Sequence, residues 1–139
     1  MTIEKLKVSD LPAYKALMDE CFGNSSIEGY VESYKESDAY DIVVAKEDGA
    51  LLGSMTLYKI ELFTFGFQPC LELFNVAVTA PARGRGVGRA LMDYAKEYAK
   101  AQGYKSISLT CLEEAAPAHR LYEAAGFKRA PSRKYALYL

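Results

Sequence analysis

Apolar residues recur along this chain with two periods, and the switches between them lay out its elements. Ile3 to Val8 alternates apolar and polar positions like a first strand. Ser9 or Asp10, with Pro12 close behind, opens a helix carrying Leu11, Tyr14, Leu17 and Met18. Asn24-Ser25-Ser26 breaks that helix and is placed to cap a second one holding Ile27, Tyr30, Val31 and Tyr34. Asp41 to Lys46 and Leu51 to Phe65 read as two strands joined at Asp48-Gly49, a dipeptide suited to a tight hairpin turn. Gly66 to Pro69 turns the chain into an apolar run, Leu71 to Val78. Val87, Ala90, Leu91, Tyr94, Ala95 and Tyr98 share one face of a helix from Val87 to Gln102, which Gly103 ends. Tyr104 to Thr110 reads as a strand, Pro117 to Ala125 as a helix stopped at Gly126, and Lys134 to Leu139 as a closing strand. An antiparallel start with a strand–helix–strand crossover behind it predicts one α/β domain over residues 1–139.

Composition narrows the class. Half of the 139 residues are hydrophobic and a quarter charged, the balance of a globular domain that can bury a core without staples. A net charge of −1 argues against nucleic acid or an anionic membrane as the main partner. No apolar run approaches the roughly 20 residues of a membrane span, and Met1 to Asp10 lacks a signal-peptide core. Cys21, Cys70 and Cys111 are an odd set without CxxC spacing, which argues against disulfides and a zinc site. A reducing cytoplasm is the expected compartment.

The chemistry concentrates in Pro81 to Ala90, Pro-Ala-Arg-Gly-Arg-Gly-Val-Gly-Arg-Ala, between the apolar run and the long helix. Gly84, Gly86 and Gly88 let the backbone turn tightly and approach a ligand closely. The helix from Val87 points unpaired N–H groups and its positive dipole end into the same loop. Arg83, Arg85 and Arg89 add formal charge, so the loop suits phosphate. No Gly-Lys-Ser/Thr ending completes a nucleotide P-loop, and the glycines lack the spacing and place of a dinucleotide fingerprint.

The spacing that fits is Arg-x-x-Gly-x-Gly, carried by Arg83, Gly86 and Gly88. It resembles the acetyl-CoA pyrophosphate loop of the GNAT N-acetyltransferase superfamily. Ala118 to Phe127, with Leu121-Tyr122 and Gly126-Phe127, is similar to the family's later motif, again at the expected distance and order. The resemblance runs from about Leu71 to the C-terminus and weakens before it. It implies the GNAT fold: a single mixed central sheet with splayed middle strands, flanked by helices. It also implies acetyl-CoA as acyl donor, a homodimer, and no metal. By the same resemblance the pantetheine arm pairs with the free edge of the strand before the loop, through backbone groups of Val76, Ala77 and Val78. The pyrophosphate would then lie over Arg83, Gly84, Arg85, Gly86, Val87, Gly88 and Arg89.

Amine acetylation needs a base for the attacking amine and an acid for the leaving thiolate. Tyr122 stands where the family often places a tyrosine whose hydroxyl approaches the CoA sulfur; an aromatic core position is the other reading. Glu72, six residues before Val78, has the spacing of the base in the histone-acetylating branch, or is an ordinary strand position. His119, three residues before Tyr122, is a rival base or a surface histidine. Ala115 stands where many members have an asparagine that contacts the cofactor. Cys111 reads as structural, since no cysteine has an obvious partner base in sequence. A single displacement from acetyl-CoA to a primary amine of a small molecule is therefore the expected activity.

In the family the segment corresponding to Phe22–Tyr34 shapes the acceptor pocket. Here it and its continuation combine Tyr30, Tyr34 and Tyr40 with Glu28, Glu32, Glu36 and Asp38, which suits a cationic amine or a solvated helix face. A peptide or protein acceptor shares every motif, and a non-catalytic acyl-CoA-binding domain would keep the loop while dispensing with acid and base.

Overall fold

The computed structural model describes residues 1–23, 34–63, 66 and 69–139. Strand β1 (Thr2–Lys5) leads through a short 3-10 turn, Val8–Asp10, into helix α1 (Leu11–Phe22). Pro12 sits in the first turn of α1, where its missing N–H costs nothing. Strands β2 (Tyr40–Glu47) and β3 (Ala50–Glu61) follow, joined at Asp48 and Gly49 with φ of 51° and 79°. Two successive positive φ values are what a type I′ hairpin turn requires. Then come β4 (Pro69–Val78), α2 (Val87–Gln102), β5 (Ile107–Leu109) and α3 (Ala116–Ala124).

The five strands form one mixed sheet in the order β1-β2-β3-β4-β5, antiparallel up to β4 and parallel between β4 and β5. Its two faces are covered differently. α1 lays Leu11, Tyr14, Leu17 and Met18 over Ile42, Val44 and Ala77. On the other face Val87, Leu91, Met92, Ala95 and Ala99 of α2 pack on Val43, Ala45, Met55, Leu57, Leu71 and Leu73. Fully burying side chains of this size contributes about 1.5–3 kcal/mol each, so these two layers dominate the stability.

The β4–β5 ladder is short. It pairs Leu71 with Ile107, Glu72 with Ser108 and Leu73 with Leu109, and stops five residues before β4 ends. Beyond Leu73 the two parallel strands part, which gives the splayed sheet of the expected fold. On its other side β4 stays paired with β3, but irregularly. Ser54 lies opposite Ala77 while Thr56 lies opposite Phe74, so Asn75 and Val76 form a bulge, with Asn75 at φ 52°. The bulge changes the parity of the strand. Glu72, Phe74 and Ala77 share the α1 face, whereas plain alternation would have put Val76 and Val78 there.

Three expectations are corrected. The strand expected over Tyr104–Thr110 is only Ile107–Leu109, because it pairs with β4 over just three residues before the two strands part. The strand expected over Leu51–Phe65 ends at Glu61, with 64–65 outside the described residues. Lys134–Leu139 forms no closing strand. Its tyrosines favour extension, but the segment meets no sheet edge, and Tyr135, Leu137, Tyr138 and Leu139 are exposed. The helix expected over Ile27–Tyr34 falls almost wholly on residues 24–33, outside the described residues.

Candidate active site

The end of β4, the loop after it and the ends of two helices enclose a cleft of about 660 Å³. Val76, Ala77 and Val78 form one wall, Arg83, Gly84, Gly86, Val87, Gly88 and Arg89 the floor, and Ala115, Pro117, Ala118, Leu121 and Tyr122 the opposite wall. Cys21 and Phe22 close it from α1. The parting of β4 from β5 is what opens this space, since strand pairing would otherwise fill it.

The loop is built as a cradle. Gly84 and Gly86 have φ of 79° and 83°, with open space where a Cβ would stand. Such backbone is strained for other residues. The first α2 hydrogen bond runs from the N–H of Ala90 to the carbonyl of Gly86 (3.0 Å), so the N–H groups of Val87, Gly88 and Arg89 precede the helical ladder. Those donors and the helix dipole face the same floor and suit an anion.

Gly88 serves a different end from its neighbours. It lies in α2 with ordinary backbone, and a Cβ there would stand 2.9 Å from Leu121 Cδ2 of α3. The glycine lets α2 and α3 approach, rather than supplying an unusual turn. Gly88→Val should therefore push α3 from the cleft and abolish measurable acetyl-CoA binding by the folded variant in calorimetry. Tight binding would mean that Leu121 swings aside and the cleft survives.

The three arginines separate. Arg83 Nε donates to the Val78 carbonyl (3.1 Å), which fixes the loop against the end of β4. Arg89 donates to the Ala124 carbonyl (3.0 Å) and pairs with Asp93, so it ties α2 to the end of α3 while lining the floor. Arg85 points away, its guanidinium 2.7 Å from Glu47, and does not line the cleft.

Glu20, which the sequence pattern did not single out, clamps the loop from α1. Its carboxylate accepts from the Thr79 hydroxyl (2.7 Å) and the Ala80 N–H (2.8 Å). The Thr79 hydroxyl, the Ala80 amide and nearby Arg83 hold its carboxyl below the usual glutamate range. A depressed folded-state pKa stabilises above the unfolded value and is lost as pH falls through the folded one. The Tm advantage of the native chain over Glu20→Gln should thus be constant at neutral pH, begin to shrink as pH falls toward the unfolded value of about 4, and be lost as pH passes through the depressed folded value. Thermal unfolding across pH reads it, and a difference that persists in acid would remove the clamp.

Tyr122 is half-buried on α3, lines the cleft, and meets Phe127 edge-on with centroids 6.1 Å apart. Burial, with Cys111 nearby, pushes its phenol above the usual value and keeps it protonated at neutral pH. Glu72 is not part of this lining. It lies farther back on β4, opposite Tyr58 on one side and Ser108 on the other. Ala115 caps α3 without a side-chain hydrogen bond, so no side chain there replaces the family's asparagine.

Cys111 does have a histidine beside it, contrary to the expectation from sequence. Its Sγ lies 3.9 Å from each ring nitrogen of His119. His119 Nε2 is 2.9 Å from the Leu112 carbonyl and must carry the proton to donate there. The pair was hidden because the two residues are eight apart across a strand end and a helix start. Cys111 is exposed and does not line the cleft. Among the described residues no cluster of three or more metal-ligating side chains occurs, and no helix is long and apolar enough to cross a membrane.

Residues 11–127 match the family model described as "Acetyltransferase (GNAT) family". An uncharacterized N-acetyltransferase of Shouchella clausii is 43% identical over 72 residues, which are 49% of this chain and 42% of that protein. The mycothiol acetyltransferase of Beutenbergia cavernae is 41% identical over 80 residues, 58% of this chain but 25% of its own length. The chain thus spans well under half of either relative. The uncharacterized N-acetyltransferase YhfO of Bacillus subtilis is 26% identical over 92% of this chain and 90% of its own. In fold, a ribosomal-protein-alanine N-acetyltransferase of Brucella melitensis superposes with a TM-score of 0.85 at 19% identity, over all of both chains. AAC(6')-Iy in complex with a CoA-linked bisubstrate analog superposes with a TM-score of 0.84 at 16% identity, over 99% and 97% of the two chains.

Proposed function

The chain belongs to the GNAT acetyltransferase family and is an acyltransferase, and from that premise we propose that it moves an acetyl group from acetyl-CoA to a primary amine of a small molecule by direct transfer. The observation that carries this reading is the convergence of three features on one cleft. These are the end of β4 left free on its β5 side, the glycine cradle at the start of α2, and a half-buried phenol. The residues present fit the donor. The edge of β4 past Leu73 lacks a strand partner and can accept an extended arm as an added strand. Val76, Ala77 and Val78 then bind the pantetheine amides, and Arg83, Gly84, Gly86, Val87, Gly88 and Arg89 hold the pyrophosphate. Arg85 joins them only by leaving Glu47.

Bound acetyl-CoA supplies the acyl group as a thioester. Glu72 takes a proton from the incoming ammonium, directly or through water, which frees the nitrogen lone pair. The N–C bond forms at the thioester carbon, the C–S bond breaks, and Tyr122 passes its proton to the departing sulfur. The second amine proton returns through solvent to the phenolate. The products are the acetamide, free CoA and one proton lost through Glu72. Cys111 lies off the cleft lining, which supports transfer without an acetyl-enzyme. We read residues 1–139 as one domain working in the cytoplasm as a homodimer; three free thiols support a reducing compartment.

The test is release of free CoA thiol from acetyl-CoA with a panel of amines and lysine-bearing peptides. Turnover with small amines is expected; turnover with peptides alone would move the acceptor to protein, and binding without turnover would make the chain an acyl-CoA-binding module. An ammonium near pKa 10 must lose its proton first, so kcat/KM should rise with pH on its acidic side. Glu72→Gln should flatten that acidic limb. An unaltered profile would take the base role from Glu72.

A further inference from the structure

Behind the cleft, on the α1 face of the sheet, Glu72 stands among aromatic side chains that the transfer chemistry does not use. Register places Tyr40 opposite Tyr58 and Tyr58 opposite Glu72, so the three stand side by side across β2, β3 and β4. Directly opposed residues in antiparallel strands have Cβ atoms about 4.5–5.5 Å apart. Phe74, two residues along β4, shares the face and meets Tyr58 edge-on at 5.3 Å; Tyr40 meets Tyr58 at 5.0 Å. Ile60 and Cys70, paired with each other, extend the surface on the next row of that face.

Two features make this more than packing. Tyr58 and Phe74 keep 37% and 40% of their surface in solvent, although α1 buries the rest of the same face. Phe74 is also only two residues from Val76 of the cleft wall, about 7 Å along the strand. Phe74 thus keeps exposed ring surface on the strand that lines the cleft, with Tyr58 beside it. Glu72 is the one charged side chain in the rows Tyr40–Tyr58–Glu72–Ser108 and Ile42–Thr56–Phe74.

Among the described residues of these two rows Glu72 is the one carboxylate, and the aromatic and aliphatic surface around it discriminates among amines. One ammonium is met by Glu72 and by the ring quadrupoles, and the body that carries it by apolar area. A polyamine or an amino sugar would bury further cations or hydroxyls against groups unable to pair with them. We propose that the acceptor is a primary monoamine on an aromatic or compact apolar body, seated on Tyr40, Tyr58 and Phe74 with its nitrogen at Glu72. This rests on the acetyl-transfer reading and specifies its second substrate.

The experiment compares kcat/KM for 2-phenylethylamine, spermidine, glucosamine and a lysine-bearing peptide, measured as CoA thiol release. 2-Phenylethylamine should lead the others by at least about 10-fold, the scale of burying one aromatic body that the others lack. Phe74→Ala and Tyr58→Ala should each raise KM for 2-phenylethylamine and collapse that lead, while Tyr58→Phe, which keeps the ring, preserves it. Acetyl-CoA calorimetry on each variant certifies that it is folded. Preference for spermidine, glucosamine or the peptide overturns the inference and leaves acetyl transfer standing, as does a lead that survives Phe74→Ala. Acetyl-CoA binding with no turnover of any acceptor overturns both.

Discussion

Tyr122→Phe should lower kcat by about 100-fold, the usual size of a lost general acid, while the affinity for acetyl-CoA stays near the native value. The phenol lines the cleft, and burial with nearby Cys111 holds its proton in place. A raised pKa makes the phenol a weaker acid but keeps it loaded throughout the neutral range, and the departing thiolate is a base able to take that proton. Phenylalanine preserves the edge contact with Phe127 and the wall of the cleft. It removes only the hydroxyl. Interactions made in the transition state alone appear in kcat and in kcat/KM together, whereas a packing role would appear in stability or cofactor affinity. Single-turnover rates with calorimetric Kd decide it; an unchanged chemical step would return Tyr122 to the hydrophobic cluster it also touches.

Gly53→Ala is the second large effect, and its sign opposes the general rule. Glycine inside a strand is ordinarily worse than alanine by about 0.5–1 kcal/mol, so adding a methyl group usually helps. At Gly53 a Cβ would stand 2.7 Å from the Ala77 carbonyl and 3.0 Å from Val87 Cγ1. The first of these is backbone and cannot rotate away. Overpacking of this kind costs about 1–3 kcal/mol and outweighs the propensity gain. A fall in Tm of several degrees is expected, with weaker acetyl-CoA binding as well, because the displaced carbonyl belongs to the cleft wall. A Tm at or above native would show that β4 yields freely at Ala77.

The long-period elements were legible because their signals are local. The bounds of α2, Val87 and Gln102, follow from six apolar residues on one stripe and a glycine at φ 75° as the stop. Asp48-Gly49 announced its turn in the same way. The tight loop before α2 was legible as glycine spacing, and Gly84 and Gly86 hold the positive φ that such a turn requires. What escaped depends on partners distant in sequence. The bulge at Asn75 and Val76 exists only relative to β3, and the demand for glycine at position 53 arises where β3, β4 and α2 meet. Glu20 lies 59 residues from Thr79, and no pattern joins them. The tail from Lys134 shows the converse error. Its short apolar run is a genuine strand signal, yet a strand also needs an edge, which no single segment can reveal.

Glu20 gives α1 an office beyond covering the sheet. The helix packs on Ile42 and Val44, in the strands that carry the aromatic platform, and its last turns hold Thr79 and Ala80 at the head of the phosphate cradle. One rigid element thus touches the supports of both substrates. Linkage then runs both ways: the factor by which a bound amine alters affinity for acetyl-CoA through α1 equals the factor by which acetyl-CoA alters affinity for the amine. Coupling through α1 between the proposed amine and acetyl-CoA would pass through Glu20, so Glu20→Gln is the substitution expected to weaken it.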